Sequence, residues 1–226
     1  NLVDNSFSGW DRITGATNSK PTLCRDTLFV RGLDNRVYYS PYDSSHNTFG
    51  YTWNVVPSGS TCDGTAASYL IMVVRGMDGN SLWYGNRTFT GWELLNKGAT
   101  HSAPTLADCT WPGSFTKVPP YEYEPVESGL IVRGLDNSVY FARYRDDYGW
   151  IRGAPPYPKI EWIKWKGGAT CDSPAAATIG ILCIHVVVRG MDGHSLWWGW
   201  YNEWGEYFYS WFLLSGSTPS APTLAS

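Results

Sequence analysis

The chain has 226 residues, a formal net charge of −3, and 13 Trp, 15 Tyr and 8 Phe. The balance of charge offers no basic footprint for nucleic acid, and no apolar run approaches the roughly 20 residues that a membrane-spanning helix needs. With 24 Gly, 14 Pro and no stretch of helical spacing, the expectation is an all-β protein.

The chain starts on Asn rather than Met, as a processed or excerpted chain does, and a secreted, extracellular protein is expected. The first unit runs from Trp10 through "GAT" at 15–17, "KPTL" at 20–23 and "LFVRG" at 28–32 to the aromatic strand "VYYS" at 37–40. The second starts at Trp53 and continues through "GST" at 59–61, "CDGTAA" at 62–67, "IMVVRG" at 71–76 and "SLWYG" at 81–85. At its end Asn86-Arg87-Thr88 forms an N-glycosylation sequon, which makes Asn86 the candidate modification site.

The third unit starts at Trp92 and carries "GAT" at 98–100, "APTLA" at 103–107, "LIVRG" at 130–134 and "VYFAR" at 139–143. It is lengthened by two Tyr- and Pro-rich insertions, 110–129 and 145–161, of the kind that carries function or contact surface outside a rigid frame. The fourth runs from Trp162 through "GAT" at 168–170, "CDSPAA" at 171–176 and "VVVRG" at 186–190 to "SLWWGW" at 195–200. A fifth opens at Trp211 and stops after "APTLA" at 221–225.

Four short strands per unit of roughly 50 residues, with turn residues between them, are the pattern of a β-propeller blade. We therefore expect one domain over 1–226, a propeller of about five four-stranded blades. The units are 10–52, 53–91, 92–161 and 162–210, with a partial fifth, 211–226, completed by residues 1–9 or by a neighbouring molecule.

The phrases "RGLDN" at 31–35 and 133–137 and "RGMDG" at 75–79 and 189–193 alternate, as if a two-blade ancestor had been duplicated. Each reads as hairpin punctuation, with the Arg and Asp placed to pair across the turn. Such a pair, if exposed, is worth about 0–1 kcal/mol. Four copies argue against a unique catalytic acid.

The combined pattern "W-x-x-L-x-x-G-A-T-x-S-A-P-T-L … V-V-R-G-x-D-G-x-L-W" resembles the blade repeat of the Photorhabdus-type bacterial lectins over nearly the whole chain. Those are seven-bladed β-propellers that bind fucose and related, sometimes methylated, sugars in clefts between blades. The resemblance implies a multivalent carbohydrate-binding protein, with cell-surface glycans as partners and no cofactor. Sugars offer C–H faces to aromatic rings and hydroxyls to polar side chains. The candidate sugar-binding residues are accordingly Tyr38, Trp83, Tyr140 and Trp197 on the aromatic strands, and Trp200, Asn202, Glu203 and Trp204 in a loop expected at 200–211. The rival reading is a structural propeller module of an extracellular fibre, matrix or coat, assembling as a homo-oligomer or head-to-tail polymer.

Of the five cysteines, Cys24 and Cys109 end equivalent "PTL" strands and Cys62 and Cys171 follow equivalent G-x-T turns, which suggests bridges Cys24–Cys62 and Cys109–Cys171 with Cys183 unpaired; a Cys171–Cys183 bridge is the alternative. Zinc-ligand spacing, a nucleophile elbow, a phosphate-binding glycine loop and the sialidase box are absent from the sequence. Glu203 and Glu206 are the one carboxylate pair that a glycosidase reading can use, and nothing else supports it. The expectation is a protein without enzymatic activity.

Overall fold

The structure is a computed structural model that describes residues 12–68, 71–86, 91–109, 127–145, 160–179, 183–202 and 207–224. These residues form antiparallel β-strands and turns, with no helix among them.

Four sheets follow one another along the chain. The first contains β1 (Thr22–Cys24), β2 (Thr27–Arg31), β3 (Arg36–Pro41) and β4 (Asn54–Ser60), hydrogen-bonded in that order. The second contains β5 (Ala66–Ala67), β6 (Ile71–Arg75), β7 (Ser81–Asn86) and β8 (Trp92–Ala99); the third contains β9 (Thr105–Cys109), β10 (Glu127–Arg133), β11 (Ser138–Arg145) and β12 (Ile160–Ala169). In the fourth, β13 (Ala175–Ile179), β14 (Cys183–Arg189) and β15 (Ser195–Asn202) are completed by β16 (Tyr207–Phe208) and β17 (Phe212–Ser217), both of which pair with β15.

The second strands β6 and β10 carry continuous apolar runs because the sheets on either side cover both of their faces. Phe29, Val37 and Val56 of the first sheet meet Met72 and Val74 of the second. Val73, Leu82 and Leu95 meet Leu130, Val132 and Ala142 of the third. Ile131, Val139, Phe141 and Trp165 meet Ile184, Val186, Val188 and Tyr201 of the fourth. The sheets thus stack face to face, and alternate residues of one strand enter successive cores. The first strands β1, β5, β9 and β13 contact one another in turn along one edge of the stack. There Thr22 Oγ1 donates to the Thr65 carbonyl, and Thr105 Oγ1 to the Pro174 carbonyl at 2.6 Å.

The repeated phrase forms the hairpin between the second and third strands, as expected. Its last residue takes the left-handed conformation: Asn35 at φ 66°, Gly79 at 82°, Asn137 at 63° and Gly193 at 77°. The alternation is geometric as well as chemical. The Gly32 amide donates to the Arg36 carbonyl and Gly134 to Ser138, whereas Gly76 donates to Ser81 and Gly190 to Ser195, one residue further on.

Two expectations about organisation are corrected. The Trp-led strand closes a sheet rather than opening one: Tyr38 pairs with Val55 of β4, Trp83 with Leu94 of β8, and Trp197 with Leu213 of β17. The sequence units therefore straddle the sheets, and 211–217, expected to begin a fifth blade, completes the fourth sheet. No fifth sheet lies among the described residues. In addition, the "G-x-T" turn belongs to the end of the fourth strand. It follows a register shift between Arg36 and Tyr38 that recurs in every sheet, a bulge that bends the strand toward the next sheet.

Neither expected disulfide is formed among the described residues. Cys62, Cys171 and Cys183 carry thiols, and Cys62 Sγ donates to the Gly76 carbonyl at 3.1 Å. Cys24 pairs with Thr27 at the start of β2, but the Cys62 amide bonds the Arg75 carbonyl at the end of β6, so the two lie at opposite ends of adjacent sheets. Cys109 beside Glu127 and Cys171 beside Arg189 repeat that mismatch.

Candidate functional site

The bulges that end β4, β8 and β12 place Gly59, Gly98 and Gly168 beneath the Trp that leads the next sheet's final strand, and Gly15, ahead of β1, lies beneath Trp53 in the same way. A Cβ on Gly15 would lie 3.1 Å from Trp53, on Gly59 3.1 Å from Trp92, on Gly98 2.8 Å from Trp162, and on Gly168 2.7 Å from Trp211. The Trp53 indole N–H donates to the Thr14 carbonyl at 2.9 Å, and that of Trp92 to the Pro57 carbonyl at 3.0 Å. Trp53, Trp92 and Trp162 each line a cleft, that of Trp92 between the first and second sheets and that of Trp162 between the second and third.

Three such clefts are open and built from equivalent residues. The first, about 380 Å³, is lined by Gly15, Leu33, Asp34, Tyr38 and Trp53. The second, about 590 Å³, is lined by Ser58, Met77, Asp78, Ser81, Trp83 and Trp92. The third, about 340 Å³, is lined by Lys97, Leu135, Asp136, Tyr140 and Trp162. All fall in the size range of small-molecule sites. The fourth sheet repeats the same residue types at Met191, Asp192, Ser195, Trp197 and Trp211. A cavity of about 140 Å³ between the first and second sheets, against Cys24, Tyr39 and Met72, is smaller and is not part of this series.

Four of the candidate residues, Tyr38, Trp83, Tyr140 and Trp197, therefore occupy one equivalent position, the first three on the walls of open clefts. Their neighbours Tyr39 and Phe141 point to the opposite face and into the cores. Trp200 and Asn202 do not join them. They end β15, where Trp200 packs against His185, Trp198 and Tyr209. The loop expected at 200–211 is in part strand, since Tyr201 and Asn202 pair with Phe208 and Tyr207. Glu203 and Trp204 lie outside the described residues, as does most of both insertions. Asn86 is exposed at the end of β7, and Arg87 and Thr88 of its sequon lie outside the described residues.

The phrase residues do more than punctuate. Its Asp does not pair with its Arg, as the spacing had suggested. Asp34 accepts the Arg36 amide on Oδ1 at 3.1 Å and the Tyr38 hydroxyl on Oδ2 at 3.0 Å. Asp136 accepts the Ser138 amide on Oδ1 at 3.0 Å, and on Oδ2 the Tyr140 hydroxyl at 3.2 Å and Lys164 Nζ at 2.7 Å. Asp78 Oδ1 takes the amides of Asn80 and Ser81 and the Ser81 hydroxyl; that hydroxyl in turn accepts the Trp83 indole N–H at 2.9 Å. Asp192, Ser195 and Trp197 repeat this chain of bonds.

These donors hold the carboxyls in the ionised form. The Arg36 amide lowers the Asp34 pKa, the Asn80 and Ser81 amides lower that of Asp78, Lys164 lowers that of Asp136, and the His194 and Ser195 amides bring Asp192 to about 2. The residue between Gly and Asp is the other feature that sequence reasoning passed over. Leu33, Met77, Leu135 and Met191 are 66%, 52%, 50% and 52% exposed at the cleft rims. An apolar side chain at the same point of four otherwise polar turns is the signal that marks them in the sequence.

Each cleft therefore offers an aromatic wall, an apolar rim and an anionic hydrogen-bond acceptor. Among the described residues no group of three or more His, Cys, Asp or Glu is placed to hold a metal ion.

No family model matches the chain, and no curated protein does. Among solved structures the chain is similar to that of the SapL1 lectin in complex with alpha methyl fucoside. The two are 14% identical with a TM-score of 0.55, over 92% of this chain and 68% of that one. It is also similar to a mutant of Aleuria aurantia lectin in complex with alpha-methyl-L-fucoside, at 12% identity and TM-score 0.45, covering 91% of this chain and 62% of that one. A further similar structure is a fucose-specific lectin from Aleuria aurantia, at 14% identity and TM-score 0.43, covering 87% and 60%. The chain thus spans less than two thirds of the two Aleuria structures, and its likeness to SapL1 is one of fold.

Proposed function

We propose that the chain is a carbohydrate-binding protein of β-propeller architecture that holds sugars in the clefts between consecutive sheets. The observation that carries this reading is the repetition of one cleft chemistry at successive seams: an aromatic wall, an apolar Leu or Met, and an ionised Asp. A pyranose has a complementary surface, with a C–H face for the ring and hydroxyl donors for the carboxylate. The shared fold with a structure solved with alpha methyl fucoside makes fucosides the first sugars to try.

Repeated sites on one rigid frame suit multivalent attachment to a glycan-bearing surface, where avidity multiplies weak single-site affinity. Secretion and a glycan on Asn86 belong to the same reading. The test is a glycan array followed by titration with alpha-methyl-L-fucoside. Binding that saturates with more than one sugar per chain supports the proposal; silence across the array overturns it.

A structural role has one observation in its favour: Phe212 and Leu213 on β17 are 49% and 62% exposed, an apolar edge suited to contact between molecules. Sedimentation of the sugar-free protein over a range of concentrations separates the two. Growth into polymers together with a silent array would favour the structural module.

A further inference from the structure

The clefts are not chemically equal, and the difference follows the two-sheet alternation of the sequence. In the first and third clefts both oxygens of the Asp are engaged inside the protein. Oδ1 of Asp34 and of Asp136 holds a turn amide, and Oδ2 accepts the hydroxyl of Tyr38 or Tyr140 from the cleft's own wall. For Asp136 the same Oδ2 also accepts the Ser138 hydroxyl at 3.0 Å and Lys164 Nζ. A sugar hydroxyl arriving there would have to displace a bond that already exists.

In the second cleft, and in its fourth-sheet counterpart, the aromatic wall is an indole. An indole N–H cannot reach the carboxylate directly and is satisfied by Ser81 or Ser195 instead. The turn is one residue longer, so two backbone amides and the serine hydroxyl all converge on Oδ1 of Asp78 or Asp192. Oδ2 of each has no hydrogen-bond partner among the described residues. The second cleft is also the roomiest, at about 590 Å³ against 380 and 340 Å³ for the first and third. No phenol hydroxyl bridges ring to carboxylate there.

We propose that the clefts form two classes, and that Oδ2 of Asp78 and of Asp192 is the acceptor for a sugar hydroxyl, so that strong monosaccharide binding occurs at two of the four positions. This inference rests on the carbohydrate-binding reading and specifies where it operates. The ligand class is a pyranose with a hydroxyl donor adjoining an apolar C–H face, so that the hydroxyl meets Asp78 or Asp192 while the face lies on Trp83 or Trp197. The Tyr38 and Tyr140 clefts, with their carboxylates already satisfied, hold such a ligand only weakly.

Replacing Asp by Asn tests the assignment cleanly. Asn keeps Oδ1, and with it the three turn bonds, but turns Oδ2 from an acceptor into a donor. Titration calorimetry with alpha-methyl-L-fucoside should show two strong sites per wild-type chain. The pair Asp78→Asn/Asp192→Asn should lose roughly 10- to 100-fold in association constant, the usual worth of a hydrogen bond to a charged group. The pair Asp34→Asn/Asp136→Asn should keep both strong sites, with thermal unfolding confirming that each variant is folded. Four equal sites in the wild type, or equal losses in the two pairs, overturn the division into classes while leaving carbohydrate binding intact. Absence of any sugar binding by the wild type overturns both.

Discussion

Arg75 holds Asp63 at 2.9 Å in the segment that leads into its own sheet, and with the same guanidinium reaches the His101 carbonyl at 3.0 Å in the segment that leads into the next. Arg189 repeats the arrangement with Asp172 at 2.7 Å and the Pro219 carbonyl at 2.6 Å. In the other two sheets the partner changes. Arg31 and Arg133 are held by the side chains of Asn35 and Asn137 within their own turns, and Arg133 still reaches forward to the Cys171 carbonyl at 2.8 Å. The Arg of the phrase is thus a tie between sheets. The alternation of Asn with Gly in the turn is matched by Ser19 and Ser102 where the other units have Asp63 and Asp172.

This exchange predicts compensation. Asp63→Ala leaves a partly buried guanidinium short of one acceptor and should lower unfolding free energy by about 1 kcal/mol. Gly79 has φ 82°, a conformation that Asn35 and Asn137 adopt at the equivalent position, so Gly79→Asn can supply the missing oxygen. In urea denaturation the double variant should recover more than half of the loss. Simple addition of two penalties would show that Asn35 and Asp63 are not interchangeable partners.

The glycine beneath each Trp gives an ordered series. Alanine at 98 or 168 places a methyl 2.8 or 2.7 Å from an indole ring wedged between sheets, whereas at 59 the nearest ring atom is 3.1 Å away. Gly98→Ala and Gly168→Ala should each destabilise by about 1–3 kcal/mol, the range for overpacking, and Gly59→Ala by less. Unfolding followed by Trp fluorescence checks the order.

Much of this was legible in the sequence because its signals are local. A β-branched run before Arg-Gly and a turn with Asp then Asn or Gly specify a hairpin whatever surrounds it. The aromatic strands were recognisable too, and with them Tyr38, Trp83, Tyr140 and Trp197. What escaped depends on pairing between segments. A Trp-led strand looks the same whether it opens a sheet or closes one, and only the pairing of Val55 with Tyr38 decides. The double use of the Asp was hidden because turn and cleft engage different oxygens of one carboxyl. The cysteines were matched by repeat position, which conveys equivalence but not which end of a strand each occupies.

The cysteine correction has a direct check. Alkylation of the denatured, unreduced protein followed by peptide mapping should find Cys62 and Cys171 modified as thiols. A linked peptide joining Cys24 to Cys62, or Cys109 to Cys171, would contradict the placement of these residues at opposite ends of neighbouring sheets.

Sugar binding should depend little on pH through the mildly acidic range. The His194 and Ser195 amides bring the Asp192 carboxyl to about 2, and Asp78 is lowered by the same kind of donors. A carboxylate with a depressed folded-state pKa contributes its stabilisation above the ordinary value near 3.8 and loses it as pH falls toward 2. Association constants measured from pH 7 to pH 4.5 should stay within about twofold if these carboxylates are the titrating acceptors. A steep fall near pH 6 would point to a different group.

His185 is expected to titrate in the opposite sense from a salt-bridged histidine. Its ring stacks on Trp198 with centroids 5.6 Å apart, and its Nδ1 accepts the Trp198 indole N–H at 3.1 Å, which requires the neutral imidazole with its proton on Nε2. Burial lowers its pKa below 6.5. Between that lowered value and 6.5 the unfolded chain binds more protons at this residue than the folded one, so stability rises with pH there. The contribution is fully present above pH 6.5 and shrinks as the pH falls toward the folded-state value. His185→Gln removes the titration, so the difference in unfolding midpoint between wild type and variant should narrow from pH 7.5 to pH 5. A difference that widens on acidification would mean that the imidazolium is the favoured form, and that the bond from Trp198 is not made.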